Sequence, residues 1–197
     1  SMIVVCFPGG AGGHYLGFLI KQFLTQQPCE SVAQSNFHTA LNNVPKYLNF
    51  SFLDHSGHSQ EEELCYIKQI PPHSDLVLGH FRSVNIIHQL YQAKIVCVSV
   101  GNLSIDLLVD RVIGEVIDKN LDMVKYNDIR GQGWPEINPG YRQMPKWIQL
   151  EIQSLLHRMF YNWNDQIDLH GVNQQFLCQL STDDIFLGDA VDKLQNF

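Results

Sequence analysis

Apolar and polar positions along the chain fall into two kinds of pattern that alternate. Continuous apolar runs with β-branched residues occupy residues 3–7 (Ile-Val-Val-Cys-Phe), 76–79 (Leu-Val-Leu-Gly), 95–100 (Ile-Val-Cys-Val-Ser-Val) and 176–180 (Phe-Leu-Cys-Gln-Leu). Each reads as a strand buried on both faces, the form expected in a parallel sheet. Helical spacing follows each run: Leu16, Leu19, Ile20, Phe23 and Leu24 after the first, and a helix capped by Ser83 and running through Tyr91 after the second. After the third, Ser104 caps a long helix with Ile105, Leu108, Val109, Val112, Ile113 and Val116 on one face and Asp110, Arg111, Glu115 and Lys119 outside it. Pro145 then opens a helix on which Ile148, Ile152, Leu155, Leu156 and Met159 share a side, and a final helix carries Val191 and Leu194. Strand, loop and helix in repetition predict an α/β fold of three layers, α/β/α, with a central parallel sheet.

Two stretches break the rhythm. Residues 30–75 allow only a short helix within 32–48, an exposed polar loop at 54–60, and a stop at Pro71-Pro72; this insertion lies between the first two expected strands, where a substrate-facing cap is often placed. Residues 131–141, turn-rich and holding two aromatics, have the length of a lid. Trp147, Tyr161 and Trp163 read as core or edge packing. Repeats, low-complexity segments and composition breaks are absent, so residues 1–197 are expected to form a single domain.

The turn after the first strand is where chemistry enters. Gly9, Gly10, Gly12 and Gly13, with only Ala11 between them, lie between Pro8 and the helix that starts near His14 and Tyr15. Glycines remove the Cβ atoms that would hold a ligand off the backbone and permit φ > 0 where consecutive N–H groups converge. A helix N-terminus adds unpaired N–H groups and a favourable dipole, so phosphate or sulfate suits such a loop. The plain alternative is a tight strand-to-helix turn that binds nothing. Nucleotide P-loops need Gly-Lys-Ser/Thr at the helix start, and Gly13-His14-Tyr15 supplies neither the lysine for a γ-phosphate nor the hydroxyl for Mg²⁺. The dinucleotide spacing fails as well, because it would require glycine at Tyr15.

Composition narrows the partners. Thirteen basic against twenty acidic residues give a net charge of −7, which argues against non-specific binding to nucleic acid or an anionic membrane, so any anion site must be local. Five cysteines without C-x-x-C spacing (Cys6, Cys29, Cys65, Cys97, Cys178) point to a reducing compartment rather than secretion. Ser1 ahead of Met2 reads as a cloning remnant, and the apolar run after it is broken by Pro8-Gly9-Gly10, so neither a signal peptide nor a transmembrane helix is expected. A cytoplasmic protein is the reading, although a signal read by a dedicated export machine would leave no such pattern. His55, His58 and Cys65 lack a fourth ligand at sensible spacing, and no metal is expected. His80 ends the second expected strand, the sheet edge where open α/β folds bind ligands. It reads equally as a cap for backbone groups or as a chemical group.

Taken in order, these pieces resemble the P-loop sulfotransferase superfamily, whose first loop reads Tyr-Pro-Lys-Ser-Gly-Thr-Thr-Trp-Leu. Phe7-Pro8-Gly9-Gly10-Ala11-Gly12-Gly13-His14-Tyr15-Leu16 is similar, one residue longer and without the lysine. The stretch from Leu180 through Ser181, Thr182, Asp183 and Asp184 to Ala190 resembles the family's C-terminal Glu-Asp signature. The resemblance implies a P-loop architecture of the sulfotransferase and nucleotide-kinase kind, and 3′-phosphoadenosine 5′-phosphosulfate as donor. Its 5′-phosphosulfate would lie on Gly9, Gly10, Ala11, Gly12, Gly13, His14 and Tyr15. His80 would serve as base toward a small-molecule, sugar or protein hydroxyl, and His14 would steady charge on the bridging oxygen. The chain departs from the family after Val100, where Arg-Asn-Pro-x-Asp and a serine would hold the 3′-phosphate. Here the residues are Gly101, Asn102, Leu103, Ser104, Ile105 and Asp106, of which Asn102 alone survives; Arg82 and Arg111 are the candidate substitutes. Three functions remain in view: a divergent sulfotransferase, a non-catalytic binding module with a degenerate anion site, and a kinase-like nucleotide-binding protein.

Overall fold

The strands come first, because their residues leave them no other place. In the computed structural model, which describes residues 1–26, 50–53, 59–114, 141, 145–188 and 190–197, β1 is Ile3–Cys6, β2 Phe50–Leu53, β3 Leu76–Gly79, β4 Lys94–Ser99 and β5 Leu177–Ser181. They form one sheet in the order β2-β3-β1-β4-β5, and every neighbouring pair is parallel. β1 is central, with Ile3 beside Leu76 on one flank and Lys94 on the other. The apolar run ending in His80 is therefore the third strand, since the hard-to-read insertion contributes β2.

Helices α1 (Gly13–Thr25), α2 (Gln60–Ile67), α3 (Val84–Tyr91), α4 (Ile105–Val112), α5 (Lys146–Gln166), α6 (Thr182–Leu187) and α7 (Ala190–Gln195) surround the sheet. Alternate residues of β1, β3 and β4 enter different cores, as the period of two requires. Val5, Leu78 and Val96 pack with Leu16, Leu19 and Ile20 of α1 and with Leu194 of α7. Val4, Cys6, Val77 and Cys97 pack on the other face with Ile67, Val84 and Ile87. A third cluster at the exit of β4 joins Ala11 and Val100 to the apolar faces of α4 and α5, including Trp163. The expected three layers are present.

Some expectations change. Phe23 and Leu24 are exposed and line a groove of about 220 Å³ with Leu194 and Phe197. Trp147 and Tyr161 are exposed, and only Trp163 is core, its indole N–H donating to the carbonyl of Val98 at 2.9 Å. The cap positions of α3 and α4 are Ser83 and Ser104 as expected, yet neither hydroxyl makes a capping bond; carboxylates from other elements take that place. α2 is capped by Ser59, whose hydroxyl accepts from the N–H of Glu62 at 3.2 Å. The expected helix within 32–48, His55, His58, the Glu115 and Lys119 pair, and the lid-length loop up to residue 140 lie outside the described residues. No described helix is long and apolar enough to cross a membrane.

Candidate functional site

In open parallel sheets a crevice forms where neighbouring strands send their connections in opposite directions. β1 and β4 are neighbours; the strand that follows β1 lies on one side of them and the strand that follows β4 on the other. The carboxyl ends of β1 and β4 thus bound the crevice, and the loops that leave them carry the candidate residues.

The loop after β1 is built by its glycines. The N–H of Ala11 donates to the carbonyl of Pro8 at 3.1 Å, closing a four-residue turn whose third position, Gly10, has φ +80°, the type II requirement. Gly12 is left-handed at φ +76° and stands at the N-cap of α1. A Cβ on Gly13 would lie 2.1 Å from the Phe7 ring, so only glycine lets the helix start so close to the strand it has left. The first turn of α1 carries no acidic residue and no side-chain cap. Gly12, at its N-cap, has no side chain with which to cap the leading N–H groups.

Both candidate histidines converge on Phe7. His14 meets its ring edge-on with centroids 5.8 Å apart, and His80 does so at 4.7 Å. His80 Nδ1 donates to the carbonyl of Phe7 at 2.7 Å; a carbonyl can only accept, so Nδ1 carries a hydrogen. The imidazole stands over the loop: a Cβ on Gly9 would find the Cε1 of His80 at van der Waals distance, 4.0 Å. The far side of the loop is apolar, with Val112 near Gly10 and Ile185 and Phe186 near Gly12.

The loop after β4 is arranged differently. Asp183 of α6 places its carboxylate at the N-terminus of α4, accepting from the N–H of Ser104 at 2.8 Å and of Leu103 at 3.3 Å. The Ser104 hydroxyl donates to the same carboxylate. Since a carboxylate accepts only, the direction of the remaining bonds follows: Thr182 Oγ1 donates to Ser104 Oγ at 2.6 Å and accepts from the N–H of Gly101 at 2.8 Å. Ser104 and Thr182 are buried. A Cβ on Gly101 would stand 2.2 Å from the Asp183 carboxyl carbon, which shows how completely that side chain fills the turn. Asn102 is exposed beside it.

Neither candidate arginine reaches this turn. Arg82 Nε bonds Glu63 at 3.2 Å, and Nη1 bonds the side-chain carbonyl of Gln166. Glu63 is 1% exposed and also accepts from the N–H groups of Arg82 at 2.7 Å and Ser83 at 2.6 Å, so it is the anion at the start of α3. Arg111 lies over the Phe186 ring, 5.7 Å from its centroid.

Glu63 and Asp183 had no role in the sequence reading that matches the one they hold. Their partners stand 19 to 20 and 79 to 80 residues away, and no periodicity reports such a pairing. Burial pushes the Cys6 thiol well above its ordinary value and that of Cys97 up to about 12, so both behave as apolar packing. Among the described residues no three His, Cys, Asp or Glu side chains gather as a metal site. No family model, curated protein or solved structure matches the chain.

Proposed function

We propose that this chain is a binding module of P-loop, sulfotransferase-like architecture that holds one phosphate or sulfate group on the amides of residues 9–14. The observation that carries the proposal is a contrast between three helix starts above one sheet edge. Those of α3 and α4 are occupied by the carboxylates of Glu63 and Asp183 from other helices, whereas that of α1 follows a glycine turn, with glycine at its N-cap and no acidic residue in its own first turn. Its position at the β1/β4 crevice adds to this.

The donor implied by the family resemblance fits poorly. Its 3′-phosphate would need the turn after β4, where the amides of Gly101, Leu103 and Ser104 already serve Thr182 and Asp183 and neither Arg82 nor Arg111 enters. A second reading, transfer from a donor with a single anionic end, rests on His80: its ring is held through Nδ1 by the Phe7 carbonyl with Cε1 4.0 Å from a Cβ on Gly9, and in its neutral form an imidazole so oriented takes a proton at Nε2 as a general base does. Calorimetric titration with inorganic sulfate tests the binding proposal. Gly9→Val, which fills the space between loop and imidazole at a position without positive φ, should abolish binding with the melting temperature unchanged. Equal affinity in the variant would place the site elsewhere. Turnover of a hydroxyl acceptor that is lost in His80→Ala with anion affinity kept would favour the second reading.

A further inference from the structure

We infer that Asp183 makes the crevice selective for ligands with a single anionic end, excluding those that carry a second anion toward the turn after β4. The inference rests on the proposed anion site at residues 9–14. The two loops are close: β1 and β4 pair with Cys6 beside Cys97, Val112 of α4 lies against Gly10, and Ile185 and Phe186, two and three residues beyond Asp183, lie against Gly12. A ligand seated on the first loop and extending over the crevice therefore meets the second.

The second loop has the donors of an anion site and has already spent them. Its hydrogen bonds run in one direction, from Gly101 N–H to Thr182, from Thr182 to Ser104, and from Ser104 to Asp183, with Leu103 and Ser104 N–H ending on the same carboxylate. An incoming phosphate would face a carboxylate in place of donors and would have to displace a group held by three bonds. Like charges this close oppose each other. A neutral or cationic ligand body meets no such penalty.

Adenosine 5′-monophosphate and adenosine 3′,5′-bisphosphate differ by one phosphate and serve as probes, with inorganic sulfate reporting the first loop alone. The unaltered chain should bind the bisphosphate no tighter than the monophosphate, and one sulfate. Asp183→Ala, which vacates the turn, should shift the affinity ratio toward the bisphosphate about tenfold or more and admit a second sulfate. Asp183→Asn, near in shape, controls for folding and should shift the ratio in the same sense by less. A tenfold preference for the bisphosphate in the unaltered chain would overturn the inference. So would a single sulfate in a natively melting Asp183→Ala, and that result would leave the first-loop reading standing. No sulfate binding by any form would overturn both.

Discussion

His80 donates from Nδ1 to the carbonyl of Phe7 at 2.7 Å, tying the exit of β3 to the exit of β1 where the glycine loop begins. One bond thus serves two ends, since it satisfies a strand-end carbonyl and fixes the orientation of the ring. His80→Ala should lower stability by about 1 kcal/mol, the usual worth of such a bond. His80→Asn, which can place an amide N–H near the Nδ1 position, should recover most of it. Denaturant midpoints of the three proteins decide the matter, and an unchanged midpoint in His80→Ala would show that the bond contributes nothing.

Loop glycines should differ sharply in tolerance. Gly13→Ala drives a methyl to 2.1 Å from the Phe7 ring, which is 1% exposed and cannot retreat. The cost should be about 3 kcal/mol, at the upper end for overpacking. Gly9→Ala meets only His80 Cε1 at 4.0 Å and should cost less than about 0.5 kcal/mol. Gly12→Val is a poor probe of the loop: the φ of +76° and the neighbouring Ile185 at 3.2 Å make it a folding variant as well.

Glu63 should matter more to stability than its place in a run of glutamates suggests. Glu63→Ala leaves two N–H groups at the start of α3 and the Arg82 guanidinium without their acceptor. A loss of about 3–5 kcal/mol is expected, as for other broken buried charge pairs. Glu63→Gln keeps one acceptor oxygen and should lose less, which thermal unfolding of the pair would register.

A pH-dependent link joins α4 to α5. His157 donates from Nε2 to Asp106 and from Nδ1 to the carbonyl of Gln153, both at 2.7 Å, and two acceptors require the doubly protonated ring. Burial alone would lower its pKa, but the Asp106 and Gln153 hydrogen bonds, with the charges of Asp106 and Asp110, raise it above the ordinary 6.5. A raised folded-state value means that the stabilisation is full below 6.5 and lost as pH rises through the folded value. Because Asp106 is 86% exposed, the pair should be worth no more than about 0.2–1 kcal/mol. The stability difference between the chain and His157→Gln should be greatest near pH 5 and vanish at alkaline pH; a difference that grows with pH would reverse the assignment.

Of the four legible strands, β1, β3 and β4 are interior and buried on both faces, so they must be apolar almost throughout, as Val4, Val5, Val77 and Val96 are, and β5, at the edge with Gln179 exposed, still shows Leu177, Cys178 and Leu180. β2 was not, since Phe50-Ser51-Phe52-Leu53, as short as β1 and β3, has a serine in its run and no β-branched residue to mark it within an irregular insertion. α2 did leave a signal, Ser59 three residues before Glu62, that the polar surroundings obscured. The glycine loop and His80 were readable from local pattern. Asp183 and Glu63 were not, because what defines them is a through-space partner; the cap positions at Ser83 and Ser104 were identified, but the acids that serve them lie on other helices.

The central claim is that the amides of residues 9–14 form the anion site, and amide chemical shifts report it residue by residue. In a titration of the ¹⁵N-labelled chain with inorganic sulfate, the resonances of Gly9, Gly10, Gly12, Gly13 and His14 should move together and saturate on one isotherm. Those of Leu103 and Ser104, whose N–H groups are held by Asp183, should stay in place. Shifts that centre on Leu103 and Ser104, or that leave the glycine loop unmoved at saturating sulfate, would contradict the claim.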